Sequence, residues 1–125
     1  MRLATKKVEF KTKINVGEQE VVVTLTSLSK KEDKELASKN TKVTFSKKGD
    51  RHEEMDYIGF GEDRFDAVLV GWEGVYGSDG QPLVCDSDTK RAVFQYNSEF
   101  VSAVLDAAND FANRAEALKE EKRGN

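Results

Sequence analysis

Val8-Glu9-Phe10-Lys11-Thr12-Lys13-Ile14-Asn15-Val16 alternates residue by residue. Val8, Phe10, Thr12, Ile14 and Val16 fall on one side. Glu9, Lys11, Lys13 and Asn15 fall on the other. A period of two is the side-chain repeat of an extended chain, so the stretch reads as a half-buried strand. Gly17-Glu18-Gln19 follows as a short turn, with Gly17 supplying backbone angles that other residues avoid. Glu20 to Ser27, rich in Val, Leu and Thr, is then a second strand. The lysines of the polar face point to water and discourage edge-to-edge pairing. A hairpin over residues 7–27 ahead of a mostly helical C-terminal part makes the fold class α+β.

Outward from the hairpin, the punctuation is helical. Ser29 and Glu32 have the spacing of a capping box, which starts a short, polar helix over about Lys30 to Ser38. Asn40 ends it. Val43 and Phe45 flank Thr44 in a third strand that stops at Lys47-Lys48-Gly49-Asp50. Residues 50–61 are dense in charge, and Gly59 and Gly61 bracket Phe60; this segment reads as a mobile loop. Glu62 to Trp72 reads as a helix, because Phe65, Val68, Leu69 and Trp72 recur on one face. Glu62 and Asp63 would suit its positive N-terminal end. Ser87 caps a short helix over about Asp88 to Gln95, presenting Ala92, Val93 and Tyr96. Asn97 or Ser98 caps the last helix. Its apolar face runs Phe100, Val101, Val104, Leu105, Ala108, Phe111, Ala112, Ala115 and Leu118, and the charged turns from Lys119 to Asn125 are expected to fray. The helical part spans 62–122, and residues 1–125 form one domain.

Composition agrees with a single domain. A chain of 125 residues with 38% hydrophobic content can bury roughly two-thirds of the surface exposed by its unfolded form. No apolar run approaches the ~18 residues of a membrane span, and the N-terminus lacks the apolar core of a signal peptide. The single cysteine, Cys85, cannot close an internal disulfide, which points to a reducing cytoplasm. The net charge of -3 divides unevenly: 13 basic and 7 acidic residues up to Arg51 give +6, and 7 basic and 16 acidic beyond it give -9. Three readings of this split stand side by side: a basic half that contacts nucleic acid, unlike halves that attract head to tail between identical copies, and two solvated faces.

Searching for chemistry yields no active site. His52 and Cys85 are far apart in sequence, and neither Cys-x-x-Cys nor His-x-x-x-His spacing occurs. Glu53, Glu54 and Asp56 near His52 read as solvated charge. Ser78-Asp79-Gly80 lacks the alternating oxygen ligands of a calcium loop and reads as a turn. Gly59-Phe60-Gly61 is not followed by the Gly-Lys-Ser/Thr of a phosphate loop. Lys6, Lys7, Lys11, Lys13 and the Lys30-Lys31-Lys34 group are interleaved with Glu9, Glu18, Glu20, Glu32, Asp33 and Glu35. That dilutes any field toward nucleic acid. No enzyme activity, metal or cofactor is therefore expected, and a binding protein is. Its candidate partner-binding residues are Phe60, Trp72, Tyr76 and Leu83. Trp72 has a second reading as a core residue, through its helical spacing to Phe65 and Leu69.

The passage Val68-Leu69-Val70-Gly71-Trp72-Glu73-Gly74-Val75, then Tyr76-Gly77-Ser78-Asp79-Gly80-Gln81-Pro82-Leu83, resembles one in small tail assembly chaperones of long-tailed, siphovirus-type bacteriophages. Those proteins carry an apolar-Trp-Glu-Gly-Val run, an Asp-Gly turn, a Pro with an apolar residue, and helices to the end. The similarity covers roughly Phe65 to Ala112. It implies action in the host cytoplasm, keeping the tail tape measure protein soluble while tail tube protein polymerises around it. It also implies self-association into oligomers and absence from the finished virion. A second length made by ribosomal frameshifting is a further implication, with its junction expected at Lys122-Arg123-Gly124-Asn125. The family is mostly helical, whereas residues 8–27 carry a strong strand signal. The alternative function is a small structural tail or neck protein that stays in the particle.

Overall fold

The first two strands fold as their alternation requires. In the computed structural model β1 (Glu9–Val16) and β2 (Gln19–Thr26) pair antiparallel from Glu9↔Thr26 to Val16↔Gln19. The two-residue turn between them has Gly17 at φ 61°, the left-handed region that glycine enters without a Cβ clash. Ile14 faces Val21, Thr12 faces Val23 and Phe10 faces Leu25. Met1 and residues 3–123 are described, and the side chains of the final helix are described as far as Phe111.

Next come α1 (Lys30–Lys39), β3 (Thr41–Phe45), β4 (Arg51–Met55), α2 (Tyr57–Val68), β5 (Leu69–Glu73), α3 (Ser87–Tyr96) and α4 (Ser98–Arg123). The capping box is present: Ser29 Oγ accepts from the Glu32 N–H at 3.1 Å, and Glu32 Oε1 accepts from the Ser29 N–H at 3.3 Å. Asn40 ends α1 as expected. The fold is α+β, with the N-terminal hairpin leading into four helices.

Ser87, expected to cap α3, is its first helical residue; Asp86 caps it, accepting from the Thr89 N–H at 2.8 Å. Two larger expectations also need correction. The stretch 50–61 is regular structure: β4 pairs with β3 from Thr41↔Met55 to Phe45↔Arg51, and α2 begins at Tyr57. Asp56 caps α2 by accepting from the Gly59 N–H at 3.0 Å, and its own N–H donates to the Asn40 carbonyl at 2.7 Å. Ladder and cap satisfy backbone groups that a loop would leave to water. Glu62 and Asp63 consequently lie mid-helix rather than at an N-terminus. The second correction concerns Trp72. Helix α2 stops at Val68, and Leu69–Glu73 joins the sheet as an edge strand in the order β1-β2-β5. Trp72 pairs with Val23 and Leu69 with Leu25, with Val70 the extra residue where the register shifts.

One face of this sheet is packed and the other is wet. Ile14, Val21, Val23, Leu25 and Leu69 meet Phe65 and Val68 of α2, Val93 of α3, and Phe100, Val101, Val104 and Ala108 of α4. Phe10 stacks on Phe111 of α4 with ring centroids 3.6 Å apart. The far face carries Lys11–Glu73 and Lys13–Glu20 at 3.3 and 3.6 Å. Such exposed pairs contribute about 0–1 kcal/mol each, so burial on the packed face holds the sheet. Ala112, Ala115, Leu118 and the charged end lie outside the described side chains, and Gly124 and Asn125 of the expected junction lie outside the described residues.

Candidate partner-binding groove

The Gly-rich passage after β5 builds one wall of a groove. Gly74 turns the chain out of the sheet at φ 75°. The Leu83 N–H then returns to the Val75 carbonyl at 3.0 Å, and Tyr76 bridges Pro82. Inside this loop the Gly77 N–H donates to the Gln81 carbonyl at 2.8 Å, and Asp79 Oδ1 accepts from the Gln81 N–H at 3.0 Å. Ser78-Asp79-Gly80 is thus a turn, with Gly80 at φ 81°. Trp72 Nε1 donates to the Leu83 carbonyl at 2.8 Å and locks the loop onto the sheet.

Opposite the loop stand the tip of the β1–β2 hairpin and one face of α3. The space between them measures about 800 Å³, within the ~300–1,000 Å³ range of ligand-binding clefts. Val21, Val93 and Phe100 form its buried floor, and Val75 and Leu83 one side. Tyr76, 62% exposed, and Tyr96, 87% exposed, stand at the rim. An apolar floor with exposed aromatic edges suits an apolar or aromatic side chain from another molecule.

Helix α3 is held in place by charge. Lys90, buried, donates to the carbonyls of Asp66 and Leu69 at 2.8 and 2.9 Å and pairs with Asp66 Oδ1 at 3.0 Å. Its ammonium thereby satisfies backbone acceptors at the C-terminal end of α2. Arg91 reaches Glu62, Asp63 and Asp66 at 3.2, 3.0 and 3.4 Å. Asp63 also accepts from Asn40 Nδ2 at 2.9 Å. That hydrogen bond, with Arg91 and Lys39 beside it, holds the Asp63 carboxyl below the usual carboxylate range. The same pairing, with Asp63 first and then Glu62, pushes the Arg91 guanidinium up. Among the described residues no buried side-chain N or O atom lacks a partner. This cluster reads as structure, not as a reacting site.

The structure brings Tyr76 and Leu83 together at the groove. Trp72 stands behind them, half-buried, its ring edge-on to Phe100 with centroids 6.1 Å apart. It braces the wall. Phe60 lies on α2, half-buried and outside the groove. Tyr96, Val93 and Phe100 complete the site. The i, i+4 spacing of Ala92 and Tyr96 on one side of α3 was the available sequence signal. Cys85 is half-buried, and burial pushes its thiol up, away from the reactive thiolate. His52 is exposed on β4. Among the described residues no group of three or more His, Cys, Asp and Glu could hold a metal ion, and no helix is long and apolar enough to cross a membrane.

Residues 23–125 match the family model described as YdaY prophage protein, from the middle of β2 onward; the groove's loop wall and α3 fall inside the match, and the hairpin tip with Val16, Gln19 and Val21 falls outside it. No curated protein and no solved structure gives a significant match. With most of its length covered by that model, the chain belongs to the YdaY prophage protein family.

Proposed function

We propose that this phage protein is a tail assembly chaperone, a binding protein without catalytic activity that acts in the host cytoplasm. Its client is the tape measure protein, kept soluble while tail tube protein polymerises, and it leaves before the particle is complete. One observation carries the reading. The passage that resembles the tail chaperones, Val68 to Leu83, forms β5 and the groove wall, where it exposes Tyr76 beside an apolar floor. A long helical client offers apolar side chains at regular intervals, and a shallow apolar groove with aromatic edges takes such chains one at a time.

The test is co-expression with the tape measure protein encoded in the same prophage. Soluble tape measure protein should rise with the wild type and fall with the Tyr76→Ala/Tyr96→Ala double variant, whose native side chains are exposed; circular dichroism should show the variant folded. Mass spectrometry of purified particles should find none of this chain. Stoichiometric retention in particles would replace the chaperone reading with that of a structural tail or neck protein.

A further inference from the structure

The hairpin β3–β4 projects as an arm with little support. Only Thr41 and Met55, at its base, are half-buried, and every other strand residue is exposed. Register sets Val43 opposite Glu53 and Phe45 opposite Arg51, so both apolar side chains stand on one face. Phe45 is 69% exposed and Val43 42% exposed. A two-stranded hairpin is marginal alone in water, and a bare Phe near its tip adds no stability until something covers it. The tip itself is well formed. The Ser46 N–H donates to the Asp50 carbonyl at 2.9 Å, and Ser46 Oγ accepts from the Asp50 N–H at 3.1 Å. Lys47 and Lys48 sit at its apex, exposed and in no ion pair among the described residues.

The groove has the complementary character. Its lining contains no Lys or Arg. Acidic side chains border it: Glu18 lies in the turn between Val16 and Gln19, and Glu99 adjoins Phe100. Glu99 Oε1 is 3.8 Å from where a Cβ would stand on Gly17, which puts it beside that turn. Glu18 and Glu99 are exposed and in no ion pair among the described residues.

We propose that the β3–β4 arm of one copy docks into the groove of a second copy. Phe45 enters the apolar floor, and Lys47 and Lys48 meet Glu18 and Glu99. Arm and groove share no residue, so each copy keeps one of each free and the contact is heterologous. It propagates into a ring if the rotation closes and into a filament if it does not. This inference concerns contacts between copies: arm and client would compete for the one groove, so a copy holds one of them at a time, and the contact between copies does not depend on what the client is.

A charge exchange tests it. Light scattering of the full chain at low salt should show mass rising with concentration. Lys47→Glu/Lys48→Glu and Glu18→Lys/Glu99→Lys should each weaken association at least about tenfold, because the contacts become like-charged. An equimolar mixture of the two variants should recover assembly, since every arm then finds a groove of opposite charge. Phe45→Ser should remove assembly in all these backgrounds. A photoreactive residue at position 45 should cross-link to the Val75–Leu83 wall or to α3 of another copy. A monomeric wild type, variants that assemble like the wild type, no recovery on mixing, or cross-links only between two arms would each overturn the proposal. Circular dichroism of each variant excludes misfolding as the cause of any loss.

Discussion

Lys90 decides how α2 ends. Its ammonium touches two carbonyls and a carboxylate oxygen at 2.8–3.0 Å. Lys90→Met keeps the aliphatic stem but leaves those acceptors unpaired inside the protein. The expected cost is about 3 kcal/mol, read as a lower urea midpoint. Asp63 makes a different prediction, one of pH. Its carboxyl is held low chiefly by Asn40, as Asp86 is by the Thr89 N–H and Glu32 by Lys7. Folded pKa values below the unfolded ~3.9–4.3 mean that the folded chain binds fewer protons than the unfolded one. The stabilisation is therefore complete above those unfolded values and is lost as pH falls through the lower folded ones. Urea midpoints should hold from neutrality to about pH 5 and drop below pH 4. Asp63→Asn, which cannot titrate, should make that drop shallower.

Glycine shows how two elements are joined. A Cβ on Gly59 would lie 2.6 Å from both Asn40 Oδ1 and Asp56 Oδ2. Those side chains cap the end of α1 and the start of α2, so the close approach fixes the base of the arm. Gly59→Ala should displace a cap and lower stability by about 1–2 kcal/mol in thermal or urea unfolding. Gly71→Ala is the contrast: its nearest contact would be Thr24 Cβ at 3.7 Å. That is ordinary packing, and the change should stay within about 0.5 kcal/mol. The capping box at Ser29 and the cap at Asn40 were legible in the sequence because capping is local, satisfied within four residues. The N-cap of α2 was not, since charge and two glycines mask the Asp56–Gly59 pair, and one of the surrounding contacts comes from Asn40.

For the whole molecule, the proposed function rests on surfaces. Cys85 and His52 lie on different elements, Cys85 half-buried and His52 exposed on the arm. Complementation of a phage lacking the gene should therefore succeed with Cys85→Ala and with His52→Ala. Loss of tails with either folded, soluble variant would reveal a site outside the groove. The charge division of +6 and -9 between the parts of the chain before and after residue 51 takes a concrete form here. In the proposed contact the arm-tip lysines and Glu18 belong to the first part, and Glu99 belongs to the second.

The sequence by itself determined the N-terminal hairpin, its register face, the caps of α1 and the apolar stripe of α4 as far as Phe111. These follow from a period of two, a period near 3.6 and side chains that bond within one turn. Only the tertiary structure decided the fate of Leu69 to Glu73. Phe65, Val68, Leu69 and Trp72 have helical spacing, and locally nothing opposes another turn of helix. The strand wins because β2 offers Val22 to Leu25 as an unpaired edge, while Lys90, 21 residues on from Leu69, satisfies the carbonyls that the helix leaves behind. The groove was hidden for the same reason. Its floor joins Val21, Val93 and Phe100 from three separate elements, and no periodicity within one segment reports what another segment places beside it.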